Sequence, residues 1–229
     1  MSLSSDARTL PIAAGFLGGG ALLGLLFLLL PELDLAFTEI FYSPGAGFTH
    51  TDALWERILY ESVDWIVGFA VAAALGVLVF DVARRGPIGR RGKVAALLLV
   101  VLALGPGLVV NGVLKEHWGR ARPRDVTQFG GDKQFTPAMV ISDQCERNCS
   151  FSAGHPSAGF ALAALGYACV SRRRRLLVFA AATAFGLVVG LARVAVGGHF
   201  LSDVLFSGVI VLGLTVFLGS RWIGQPSEL

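Results

Sequence analysis

The sequence predicts an all-α membrane protein: a polytopic bundle of six transmembrane helices with a definite outer face. Three observations lead there. Hydrophobic residues make up 54% of the 229-residue chain and charged residues only 15%, against about a quarter in soluble domains. The apolar residues gather in six runs near the length a bilayer demands. The arginines cluster between particular runs, which sets an orientation.

The spans read as Leu10–Leu30, Val63–Ala83, Val94–Leu114, Pro156–Ser171, Leu176–Ala192 and Phe200–Trp222. The fourth and fifth are short against about twenty residues for a crossing, and each can borrow flanking residues. The first is followed by "PELDLAF", which has no small-residue cleavage pattern, so it reads as a retained span and not a signal peptide. The short loops "RRGPIGRRGK" (Arg84–Lys93) and "RRRR" (Arg172–Arg175) belong in the cytoplasm by the positive-inside rule, and six spans then place both termini there. Residues 31–62, 115–155 and 194–199 fall outside. Within the first of these, Leu54, Trp55, Ile58, Leu59 and Ser62 follow helical spacing, so Asp52–Ser62 is expected to lie on the membrane as an amphipathic helix.

The net charge of +3 sits at the ends of apolar runs and forms no single basic stripe, which argues against a nucleic-acid partner. Twenty-nine glycines suit closely packed membrane helices. With no dividing linker and no repeat, residues 1–229 form one domain.

The outer segment "KEHWGRARPRD" (Lys115–Asp125) holds Lys115, Arg120, Arg122 and Arg124 where that rule predicts few cations. Topology has no use for them, and a ligand does. "NCSFSAGHPSAGF" brings Ser152, Gly154 and His155 to the same face, and "LARVAVGGHFLSD" brings Arg193, His199 and Asp203. Intramembrane charges are costly and face a polar cavity or one another. Asp203 follows His199 by four residues, so a carboxylate on the same helix face can fix the imidazole tautomer and leave the other nitrogen nucleophilic. Lys115, Arg122 and Arg193 suit an anion with several oxygens, above all phosphate. Ser152 and Gly154 sit where a helix begins, at a natural anion site. His155 beside them is placed to protonate a leaving oxygen. Singly, each has a duller reading: an interfacial lysine, a structural histidine, a packing pair, a helix entry. Their coincidence on one face does not.

These blocks resemble the type 2 phosphatidic acid phosphatase (PAP2) superfamily, whose signatures are Lys-x6-Arg-Pro, Pro-Ser-Gly-His and Ser-Arg-x5-His-x3-Asp. Lys115 to Arg122-Pro123 matches the first, Ser152-Ala153-Gly154-His155 the second, and Ala192-Arg193 to His199 and Asp203 the third, covering about residues 115–203. The resemblance implies a membrane lipid phosphatase needing no metal or other cofactor. It makes His199 the nucleophile, Asp203 its orienter and His155 the proton donor, with Lys115, Arg122, Arg193, Ser152 and Gly154 around the phosphate. Ala153 and Ala192 replace family serines, and Ser150 or Ser152 is the available substitute hydroxyl.

Arg124–Cys149 is expected to form a lid. "CERNC" has the spacing of half a zinc site but no second pair of ligands, and a disulfide suits an oxidising compartment. "WGRARP", "FGG", "FTP" and the paired cysteines also resemble the lipid A 1-phosphatase branch. The expected reaction is hydrolysis of a lipid phosphate monoester or pyrophosphate at the outer leaflet of the inner membrane. Lipid A 1-phosphate, phosphatidylglycerol phosphate, phosphatidic acid and undecaprenyl pyrophosphate all fit, and oligomeric state stays open. Transfer of the phosphate to a second lipid uses the same residues, and a non-catalytic phosphate binder or transporter is the reading from another class. An oriented neutral imidazole is more than binding alone requires.

Overall fold

The computed structural model describes residues 6–51 and 53–223, which are mostly helical. Helix α1 (Asp6–Leu29) meets the short α2 (Glu32–Glu39) at 80° across Pro31. Proline lacks an N–H and disfavours helical geometry in the residue before it, so the apolar run stops and turns there. A small antiparallel ribbon, β1 (Tyr42–Ser43) and β2 (Gly47–Phe48), then leads to α3 (Leu54–Ala83). This is one helix of 30 residues. It corrects the expectation of a separate surface helix over Asp52–Ser62. No glycine or proline interrupts 54–67, so the amphipathic segment and the second apolar run propagate as one. Asp52 and both chain ends lie outside the described residues.

Helix α4 (Arg90–Leu102) widens into a π-helix over Ala103–Leu114 and tightens again in the single turn α5 (Lys115–His117). Pro106 lies inside the widened part, where its missing N–H breaks the regular ladder. Such π segments are frequent at functional sites. Residues 118–153 form a folded connection with 3-10 turns at Pro123–Asp125 and Thr127–Phe129. Then come α6 (Gly154–Ala161), its 3-10 continuation Leu162–Ala168, α7 (Arg172–Ala195) and α8 (Leu201–Trp222).

Among the described residues four helices are long and apolar enough to cross a membrane: Leu54–Ala83, the composite Arg90–His117, Arg172–Ala195 and Leu201–Trp222. The bent pair α1–α2 adds a fifth if it counts as one span. The expected fourth span is α6 with its extension, eight α-helical and seven 3-10 residues. A 3-10 helix rises about 2.0 Å per residue against 1.5 Å, so the segment reaches roughly 26 Å, near the ~30 Å of a hydrocarbon core.

That short element is the axis of the bundle. Leu97, Leu98 and Val101 of α4, Phe160 and Tyr167 of α6 and its extension, Val194 of α7, and Val204 and Val211 of α8 form one buried cluster. A Cβ on Gly159 would lie 3.1 Å from the Cα of Gly186, so α6 and α7 approach backbone to backbone. The outward faces of α1 and α3 are the reverse, with Leu17, Leu22, Trp65, Phe69 and Val79 exposed.

Candidate active site

One end of the bundle gathers α5, the N-terminus of α6 and the α7–α8 turn around a cavity of about 720 Å³. Lys115, Arg122, Gly154, His155, Arg193 and His199 all line it. Residues far apart in sequence therefore meet as the motif spacing predicted. The α7–α8 turn depends on Gly197, whose φ of +65° favours glycine and whose added Cβ would lie 2.6 Å from the Phe48 ring. Through this turn the N–H groups of Gly198 and His199 donate back to the Arg193 carbonyl, at 2.8 and 3.3 Å. The turn thereby ties His199 to the end of α7, and both His199 and Arg193 line the cavity.

His199 is almost fully buried. Its Nδ1 lies 2.7 Å from the Ser150 carbonyl and 3.7 Å from Asp203 Oδ2. Asp203 therefore supports the ring at second distance, which modifies the expected direct pairing. Burial pushes the His199 imidazole down to about 4, against the opposing pull of Asp203. Asp203 itself is saturated: Ser150 Oγ donates to Oδ2 at 2.5 Å, the Phe200 N–H to Oδ2 at 2.8 Å and Arg120 Nη1 to Oδ1 at 2.5 Å. Its bond to Phe200 satisfies a free N–H at the start of α8, where a negative charge also suits the helix dipole.

Arg120 departs from expectation: grouped by the sequence with the cations a ligand would use, it does not border the cavity. It is 1% exposed and forks between Asp203 and Asp34, donating to Asp34 Oδ2 at 2.8 Å. Asp34 of α2 also accepts from the Ser202 N–H and Oγ, at 2.9 and 2.5 Å. A second acidic partner was missed on α3. Glu56 Oε1 accepts from Arg193 Nη1 at 2.6 Å, Tyr60 stacks on His155 with centroids 3.9 Å apart, and Asp64 Oδ1 stands 3.9 Å from His155 Nε2. Glu56, Tyr60 and Asp64 recur every four residues, the spacing of one helix face. That polar stripe was legible opposite the apolar one.

The cradle is tied by Asn148, whose Oδ1 accepts from Lys115 Nζ at 2.9 Å and Arg122 Nη2 at 3.1 Å. Asn148 lies inside the loop closed by a Cys145–Cys149 disulfide, so the cysteines join each other. Arg124, Asp125, Cys145 and Arg147 of the expected lid border the cavity. Burial, with Arg124 and Arg193 nearby, lowers the Arg122 guanidinium below its ordinary value, though it stays charged. Ser152 departs from expectation. It is buried, its hydroxyl has no partner, and it does not border the cavity. We have no physical account of that orphan hydroxyl. Ser150 is committed to Asp203. Neither serine replaces the missing family hydroxyl at the phosphate. His117 is exposed and does not border the cavity.

Comparison with known proteins agrees with this geometry. The model of the PAP2 superfamily matches residues 95–226. The lipid A 4'-phosphatase of Francisella tularensis subsp. novicida is 41% identical over 196 residues, covering 81% of this chain and 84% of its own. That of Rhizobium leguminosarum is 39% identical over 219 residues, covering 87% and 93%. Both are named for the 4'-phosphate, where the sequence had suggested the 1-phosphatase branch. A solved transmembrane PAP2-type phosphatidylglycerolphosphate phosphatase from Bacillus subtilis shares the fold, with a TM-score of 0.56 at 20% identity over 88% of this chain and 94% of the other.

Proposed function

We propose, from the premise that this chain belongs to the PAP2 superfamily, that it is a membrane phosphatase removing a phosphate monoester from a lipid A-type glycolipid. The observation that carries the reading is the convergence of the three signature cations Lys115, Arg122 and Arg193 and two histidines on one cavity. The substrate follows from the two lipid A 4'-phosphatases that resemble most of the chain. Phosphatidylglycerol phosphate and phosphatidic acid are weaker substrates of the same site.

Lys115, Arg122 and Arg193 hold the phosphate oxygens, and the N-terminus of α6 at Gly154 adds main-chain donors. His199 carries its proton on Nδ1, because a carbonyl only accepts, so Nε2 keeps its lone pair. Nε2 attacks phosphorus, the P–O ester bond breaks, and His155 gives the departing alkoxide its proton. Water then attacks the phosphohistidine, loses a proton to His155 and frees His199. Asp203, locked by Arg120, balances the charge on the phosphorylated ring.

The six-span layout completes the reading, with α1, α3, α4–α5, α6 and its extension, α7 and α8 as the crossings. The arginine-rich loops and both termini are cytoplasmic, and the cavity opens on the extracytoplasmic face of the inner membrane. The deciding experiment is phosphate release by purified protein from lipid A bearing a single 4'- or 1-phosphate, phosphatidylglycerol phosphate and phosphatidic acid. Release fastest from the 4'-monophosphate supports the assignment. Label passing to a second lipid, with none released to water, sinks hydrolysis.

A further inference from the structure

Asn111 brings an uncharged polar side chain into the cavity from inside the apolar run Val94–Leu114. Its Nδ2 donates to the Pro106 carbonyl at 2.7 Å. A carbonyl only accepts, so the amide is fixed with Nδ2 toward Pro106 and Oδ1 turned away. Among the described residues nothing donates to that Oδ1. A Cβ placed on Gly154 would lie 2.7 Å from Asn111 Oδ1 and 3.5 Å from Lys115 Nζ. The amide oxygen and the phosphate-holding ammonium therefore border one small space, which glycine keeps open.

Asn111 precedes Lys115 by four residues, so it lies about one turn before it on nearly the same face, exposed where it borders the cavity. The cations Lys115, Arg122 and Arg193 favour the phosphate dianion, which offers Oδ1 only further acceptors, and two acceptors do not bond. The partner of Oδ1 belongs instead to the part of the substrate leading from the phosphate toward the bilayer. It is a donor.

We infer that Asn111 Oδ1 accepts a hydrogen bond from an O–H or N–H of the leaving group, and so selects phosphorylated sugar or polyol lipids over phosphorylated diacylglycerol. A sugar or a free glycerol carries hydroxyl or amide donors near its phosphoester. The glycerol of phosphatidic acid carries only ester oxygens there. This rests on the lipid phosphatase reading above and adds the feature of the lipid that the site reads.

The test compares wild type with Asn111→Leu on three lipids in mixed micelles: lipid A 4'-monophosphate and phosphatidylglycerol phosphate, which have donors, and phosphatidic acid, which has none. The variant is expected to lose about tenfold in kcat/KM on the first two, the worth of one net hydrogen bond, and less than about twofold on the third. An equal fractional loss on all three overturns the inference, because Asn111 then only shapes the Pro106 turn. No loss on any overturns it as well. If Asn111→Leu does not fold, Asn111→Ala removes the same amide oxygen and gives the same comparison. Failure of wild type on every lipid is a different result and overturns the phosphatase reading itself.

Discussion

His199 Nδ1 lies 2.7 Å from the main-chain carbonyl of Ser150, closer than to any carboxylate oxygen. The backbone therefore fixes the tautomer, and Asp203 is left to supply charge. The two tasks that one carboxylate was expected to perform are divided. Asp203→Asn should then leave the ring correctly oriented while lowering the rate of phosphohistidine formation about 10- to 100-fold, a partial loss beside that of His199→Ala. Rapid-quench measurement of the phosphoenzyme checks this. A variant as dead as His199→Ala would restore to Asp203 the orienting role.

The histidines separate by leaving group. General acid catalysis contributes about 10²–10⁴-fold, and less when the departing oxygen is already acidic. His155→Ala should fail on a lipid phosphomonoester yet recover much of its rate on a nitrophenyl phosphate with an apolar tail. His199→Ala should fail on both. Selective rescue of His199→Ala instead would reverse the roles.

Burial holds the folded His199 down to about 4, below the ~6.5 of an unfolded chain. Between those values the unfolded state binds the extra proton. The stability owed to the neutral ring is full above about pH 6.5 and is lost as pH falls toward 4. The imidazole proposed as nucleophile likewise stays unprotonated at mildly acidic pH. In His155→Ala, with the other histidine removed, the acid limb of phosphoenzyme formation should stand near pH 4. A limb near 6.5 in that variant would mean that His199 is wet.

Arg120→Ala strands two buried carboxylates and should cost about 3–5 kcal/mol. Arg120→Lys recovers little, since one ammonium lacks the fork that reaches both partners. Asp34→Asn keeps an acceptor for the Ser202 N–H and should be milder. Thermal inactivation midpoints in detergent would rank the three, and an unchanged midpoint in Arg120→Ala would show that water reaches the network.

Orientation is open to labelling in a background with Cys169 replaced by serine. Gln128→Cys, on the exposed connection, should react with an impermeant maleimide added to intact spheroplasts. Gly89→Cys, where a side chain meets nothing within 4 Å, should react only after lysis. The opposite pattern would turn the whole site to the cytoplasm.

Much of the site was legible because its chemistry sits in three local spacings. Lys115 to Arg122, Gly154 to His155, and Arg193 to His199 and Asp203 each survive as neighbours when the chain folds. The partners of the acidic supports were not legible for the same reason inverted. Asp34 meets Arg120 across 86 residues and Glu56 meets Arg193 across 137, and no periodicity encodes such pairings. Ser152 was misjudged because a serine before a helix reads as an anion ligand whichever way its hydroxyl points. The apolar stripe on 54–62 was seen and its boundary was not, because a surface helix and a span differ only where something stops the helix.

The fork of Arg120 between Asp34 and Asp203 also imposes an order on the birth of the enzyme. A ribosome delivers Asp34 first, Arg120 86 residues later and Asp203 another 83 after that. A nascent chain that has reached only Gly198 carries Lys115, Arg122 and Arg193 but not His199. It owns the cations without the nucleophile, and its deepest guanidinium still lacks one counter-charge. The five residues from His199 to Asp203, made after all three cations, supply the buried imidazole and the second counter-charge of Arg120 together.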